Sequence, residues 1–234
     1  KHMDVSAFDE AILGRVRETL GLDKTRLLHP SLMYTLFNVY WRQMAPLTLV
    51  EAFTSFSTLS PVDTVNLDGQ LPDKYVAVKF YSNMALPDSS ENRKMIAEIL
   101  RELTKTVDVV ILNTGQKFDD HTEYPVEVRS RIHTVEHLMT PQNNLEIQTK
   151  IISCATAFVG TYGGFSYLAP LLGTDTLAFF SHATGFRWDH LELAKRVFSS
   201  VNGGSFVALD ARDRDVIRLV FSDGMKTSVD VIGT

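Results

Sequence analysis

The chain has 234 residues, 44% hydrophobic and 22% charged, with a formal net charge of −5 and a single cysteine, Cys154. That is enough for one large domain, or a domain with a helical appendage, holding its own core. The composition excludes a disulfide framework and a Cys-rich zinc site. With no basic run, a nucleic-acid partner is not expected. No apolar stretch is long enough for a membrane span. The expected location is cytoplasmic. Lys1-His2-Met3 reads as an expression remnant, so natural sequence is expected from about Asp4.

Residues 4–60 read as a helical segment. Phe8, Ile12, Leu13, Val16 and Leu20 recur at helical spacing and Gly21 is a stop. A second helix is predicted from about Pro30 to Met44 and a third from Pro46 to Phe56. Their aromatic density predicts packing, on the main domain or on another domain. The pattern changes near Ser60-Pro61.

Residues 61–234 read as alternating strands and helices. Strands are predicted over Tyr75–Tyr81, Val107–Leu112, Arg131–Val135, Thr156–Val159, Thr176–Phe180 and Phe206–Leu209. The helices expected between and after them are Glu91–Thr106, capped by Ser89 or Ser90, then Asn143–Cys154, Phe165–Leu172, His190–Val201 and Asp213–Phe221. The nearly all-apolar second strand is typical of a parallel strand covered on both faces. The fold class that follows is α/β, a Rossmann-like parallel sheet flanked by helices and preceded by a helical segment.

In such sheets ligands sit beyond the carboxyl ends of the strands. Five polar loops occupy that place: Ser82-Asn83, Asn113-Thr114-Gly115-Gln116, Glu136-His137-Leu138, Thr161 to Ser166, and Ser181-His182-Ala183-Thr184. The fourth, Gly160-Thr161-Tyr162-Gly163-Gly164, is the most informative. Its glycines permit a sharp turn and close backbone approach, and the helix beginning near Phe165 offers free N–H groups to a diphosphate. Thr161 and Ser166 are expected to add hydroxyls, and Tyr162 a phenol or a stacking face. A branched side chain at Gly163 is expected to block the ligand. Neither the dinucleotide nor the P-loop glycine pattern is met.

Asp119-Asp120-His121 with Glu123 reads as a solvated loop, not a metal site, and no metal or cofactor is expected. His133 reads as structural. Cys154 reads as a buried small hydrophobe. Arg187-Trp188-Asp189-His190 is expected at the rim of the site, with Asp189 capping the next helix. A lone Ser or Cys without a placed His–acid partner makes no hydrolase.

The order helix, Cys154 to Gly160, glycine loop, Tyr167-Leu168-Ala169-Pro170-Leu171-Leu172-Gly173, strand resembles the carboxyl-terminal, donor-binding half of GT-B glycosyltransferases, in particular heptosyltransferase-like and fucosyltransferase-like members. The resemblance covers about residues 72–200. It implies a nucleotide-sugar donor and a glycan or other hydroxyl acceptor. By position Thr161, Tyr162, Gly163, Gly164, Phe165 and Ser166 would hold the diphosphate. Ser82, Asn83, Asn113, Thr114, Gly115, Glu136, His137, Ser181 and His182 would surround the nucleotide and sugar. It also implies an amino-terminal domain, missing here, that supplies the base. The histidine that heptosyltransferases carry in the glycine-loop helix has no counterpart, since Ser166 and Tyr167 stand there. The arginine that fucosyltransferases place after the first strand is also missing, and Lys79 is the nearest cation. Two other classes stay open: half of a sugar-nucleotide epimerase, and a non-catalytic Rossmann-like binding module.

Overall fold

A computed structural model describes residues 6–24, 35–60, 67–116 and 121–213. The chain forms two compact units, residues 1–55 and 56–234.

In the first unit, helix α1 spans Ala7–Leu20. Ser6 caps it and Asp9 returns the bond to the Ser6 amide, a capping box. Gly21 ends it in the left-handed region, φ 61°. None of its residues is buried, so the apolar stripe read from the sequence faces outward at Phe8 and Leu20. Helix α2 (Thr35–Trp41) ends before the expected Met44, and residues 30–34 of that expected helix lie outside the described residues; α3 (Leu47–Phe53) is shorter than expected. Pro46 opens α3, and Thr54 turns to extended backbone at its end.

The second unit is built on six parallel strands: β1 Tyr75–Lys79, β3 Asp108–Ile111, β5 Ile132–Thr134, β6 Ala157–Thr161, β7 Thr176–Phe180 and β8 Phe206–Asp210. Their order is β5-β3-β1-β6-β7-β8. The chain therefore runs outward from β1 to β5, then crosses back and continues from β6 on β1's other side. The switch in direction lies between β1 and β6, where ligand crevices form in sheets of this kind. Strands β2 (Tyr81–Ser82) and β4 (Thr122–Glu123) make a separate antiparallel pair that was not expected.

Alternation along the strands splits the core. Val76 and Val78 of β1 pack with Ile96, Ile99 and Leu103 of α4 (Ser90–Leu103) on one face. Tyr75 and Ala77 pack with Ile147, Ile151 and Ile152 of α5 (Asn144–Cys154) on the other. Ala178 lies beside Gly160 in register, and with Phe180 it meets Leu191, Val197 and Phe198 of α7 (Trp188–Ser200). Each fully buried aliphatic side chain stabilises the fold by about 1.5–3 kcal/mol. Ser89 supplies the α4 cap, accepting from the Asn92 amide at 3.1 Å.

Three expectations need correction. Cys154 is exposed, because the buried stripe of α5 runs through Ile147, Gln148, Ile151 and Ile152 and leaves Cys154 beside it. Asp189 does not cap α7; it lies in the first turn and pairs with Arg187 at 2.8 Å. Strand β6 does not stop at Val159 but continues through Gly160 and Thr161, which pair with Ala178 and Phe179. From residue 214 onward, the helix expected over Asp213–Phe221 lies outside the described residues, as do Asp119 and Asp120. Among the described residues no helix is long and apolar enough to cross a membrane.

Candidate functional site

Gly160 lies beside Lys79 in the β1–β6 ladder, and a Cβ there would meet the Lys79 carbonyl at 2.2 Å. Only glycine lets the two strands run this close. One residue on, the buried Thr161 hydroxyl accepts from the Tyr81 amide at 2.9 Å and donates to the Tyr81 carbonyl at 2.8 Å. It extends the ladder past the end of β1 and is spent on the fold.

The rest of the glycine loop divides the same way. The buried Ser166 hydroxyl donates to the Gly163 carbonyl at 2.8 Å and accepts from its amide at 3.0 Å, closing the first turn of α6 (Gly164–Leu171). Tyr162 points into an aromatic cluster, with its ring 4.7 Å from Phe186 and 5.5 Å from Tyr167. Its hydroxyl donates to the Arg187 carbonyl at 3.2 Å and bonds to the Tyr167 hydroxyl. Burial pushes both phenols above their ordinary range. Neither ring face nor phenol of Tyr162 is turned to the crevice.

The backbone is what stays open. A Cβ on Gly164 would meet nothing within 4 Å, and Gly164 is exposed. The leading amides of α6 have no intrahelical acceptor, and the helix dipole adds partial positive charge there. Gly163 differs: a Cβ there would strike the Tyr81 hydroxyl at 2.1 Å. A side chain at Gly163 therefore collides with Tyr81 first, so a branched residue there disturbs the protein itself.

Lys79 ends β1 beside Gly160. Alternation turns it toward the α5–α6 face, 5% exposed at the end of β1, with Nζ 5.6 Å from the Phe165 ring centroid. Nζ donates to the Leu112 carbonyl at 2.7 Å and pairs with Glu123 of β4. Burial lowers its pKa, and the neighbouring carboxylates of Glu123 and Glu136 act against that shift. The Glu123 carboxylate in turn receives the Thr114 amide at 2.9 and 3.0 Å, the Gly115 amide at 3.1 Å and the Thr114 hydroxyl at 3.2 Å. A Cβ on Gly115 (φ 65°) would come within 3.4 Å of Glu136.

The predicted loops thus form two groups. Asn83 caps its own turn through the Ala85 and Leu86 amides, both at 2.8 Å, and reaches the Tyr162 carbonyl at 3.3 Å. The Ser181 and His182 amides donate to the Ala85 carbonyl. Ser82 accepts from the Asp88 amide, and Ser181 from the Asn92 side chain. The exposed His182 ring bonds to Thr184. The other group joins Thr114, Gly115 and Glu136 around Lys79. Asn113 turns away and donates to the Tyr124 carbonyl at 2.9 Å. His137 is exposed in the short 3-10 turn Glu136–Leu138. His133 bonds to Asp108 at 2.9 Å.

Lys79, Tyr81 and Glu123 were not among the predicted site residues. One signal was legible: Lys79 breaks the otherwise apolar run Tyr75–Phe80, and a buried ammonium needs a partner. A groove of about 360 Å³ lies elsewhere, between α4 and residues 124–132. Among the described residues no group of three or more His, Cys, Asp or Glu side chains is placed to hold a metal ion.

No family model matches the sequence, and no curated protein matches it. Solved structures similar to the chain include the glycosyltransferase SnogD from Streptomyces nogalater, at 17% identity and TM-score 0.38 over 72% of this chain and 41% of that one. Another is the glycotransferase of kitacinnamycin, at 13% identity and TM-score 0.39 over 94% of this chain and 59% of the other. The chain thus spans 41% and 59% of the lengths of these two proteins. A likeness this distant says nothing about what this chain binds.

Proposed function

We propose that the crevice between the ends of β1 and β6 binds the diphosphate of a nucleotide sugar, and that the chain is the donor-binding part of a glycosyltransferase of GT-B type. The observation that carries this reading is Gly164. It stands exposed at the start of α6, at the switch point of the sheet, with open space where a side chain would be. The amides of Gly164 and Phe165 contact phosphate oxygens, as helix N-termini do. They stabilise negative charge as the diphosphate leaves. Lys79 adds a buried positive charge below the Phe165 ring. The nucleoside extends toward the loops at Thr114 and Glu136.

No general base is assigned. A hydroxyl acceptor and the group that deprotonates it come from a second wall of the cleft, so this chain alone does not turn over. Holding donor and acceptor together contributes roughly 7–11 kcal/mol of barrier lowering, which one wall does not supply. The test is calorimetric titration with UDP, GDP, ADP and CMP. Weak binding of at least one is expected, and silence from all four at millimolar concentration counts against the reading.

A further inference from the structure

The Glu123 carboxylate occupies a place that is built like a binding site for a foreign anion. Two consecutive backbone amides, Thr114 and Gly115, point at it, and the Thr114 hydroxyl and the Lys79 ammonium complete the ring. Gly115 adopts φ 65°, and successive amides in such a turn make a concave, anion-binding nest. The nest stands at the carboxyl edge of the sheet, beyond β3, where ligands of parallel sheets bind.

The cradle is anchored in the sheet, whereas its occupant rides on a short peripheral segment. Lys79 belongs to the central strand β1 and is 95% buried by its 5% exposure. Glu123 sits on a two-residue strand whose ladder partner, β2, is also two residues long, and its side chain is 19% exposed. Exchange requires only that the carboxylate turn toward the solvent its side chain already partly meets. Such a departure strips the buried ammonium of its nearest counter-ion, a costly state unless another anion takes the place. Glu136, the other carboxylate beside Lys79, is exposed, and its repulsion of an incoming anion is screened by solvent.

We propose that the Thr114–Gly115–Lys79 cradle is an exchangeable oxyanion site, held by Glu123 in the free protein and taken over by a phosphate group when Glu123 swings out. Free phosphate and the phosphate of a larger ligand share this chemistry. The proposal shares Lys79 with the α6 reading, but the two are read at different amides and can fail separately.

Inorganic phosphate is the probe, titrated at constant ionic strength into the full chain and followed by the backbone amide resonances. In the wild type, the Thr114 and Gly115 amides shift. In Glu123→Ala the affinity rises roughly tenfold, the scale of one charge-assisted hydrogen bond. Lys79→Met in that background removes the gain. A folded Glu123→Ala chain with wild-type phosphate affinity overturns the proposal. If that variant does not fold, the wild-type titration decides alone, and unmoved Thr114 and Gly115 amides overturn it. Phosphate shifts at Thr114 and Gly115, with nucleotides silent at Gly164 and Phe165, would support this site while removing the α6 reading.

Discussion

The loops that leave β3 and β6 flank the same central strand and look alike in sequence, each a short polar run containing glycine. They use their groups in opposite ways. After β6 the hydroxyls of Thr161 and Ser166 turn inward to backbone, while the Cβ position of Gly164 meets open space and the leading amides of α6 have no intrahelical acceptor. After β3 the amides of Thr114 and Gly115 are already filled by a carboxylate of the same chain. The difference comes from what packs beside each loop: Tyr81 beyond β1, 80 residues from Thr161, in one case, and Glu123 on β4, eight or nine residues on, in the other. Loop composition marks the functional edge of a parallel sheet, and what packs beside each loop decides which of its groups can meet a ligand.

Glycine substitutions break the comparison most sharply. Gly160→Val forces a branched side chain onto the Lys79 carbonyl and should destabilise by about 3 kcal/mol or more, measured by urea unfolding. Gly164→Ala should leave stability within about 1 kcal/mol of wild type or raise it, since it suits a helix start and meets open space. Its nucleotide affinity should fall. Equal destabilisation at the two positions would contradict the division between a glycine kept for packing and one kept for access.

The filled cradle is sharpened by Lys79→Met. Breaking a fully buried ion pair costs about 3–5 kcal/mol. Because Glu123 is 19% exposed, a loss of about 2 kcal/mol is expected here. An unchanged unfolding midpoint would show that the pair does not hold β4 to the sheet. A smaller effect is expected from Gly163→Ala, about 1–2 kcal/mol, from its clash with the Tyr81 hydroxyl. Tyr81→Phe should recover part of that loss, and a double-mutant cycle with no coupling would place the strain elsewhere.

The smallest expected effect is a response to pH at His190 in the first turn of α7. Burial holds the pKa of His190 below its ordinary value of about 6.5, against the pull of Asp189. The unfolded chain therefore takes up this proton first. Stability from this group is full above the unfolded pKa and is lost as pH falls through the lower, folded one. Replacing His190 by Gln should flatten the decline in urea midpoint below about pH 6.5. An identical pH profile in the variant would remove His190 from the account.

Much of this architecture was legible in the sequence because its signals are local. Ile96, Ile99 and Leu103 mark one face of α4, and the apolar run Val109–Leu112 marks a strand covered on both sides. The glycine loop stood out by its position between strand and helix. What stayed hidden depends on contacts across the chain. Nothing near Thr161 announces that its hydroxyl binds Tyr81, 80 residues away. Nothing near Glu123 announces the Thr114 cradle, because β4 is too short for any periodicity to show. Cys154 was misplaced because helix ends drift off the buried stripe within a residue or two.

The central claim is that the open amides after β6 are a ligand site and the turned-in hydroxyls are not. The most direct measurement is an amide shift map of the wild-type chain titrated with UDP, GDP, ADP and CMP. The account predicts that the largest shifts fall on Gly164 and Phe165 for at least one nucleotide, and that Thr161→Val, if folded, binds it with unchanged affinity. Shifts that avoid Gly164 and Phe165 would contradict it, as would a folded Thr161→Val chain that no longer binds.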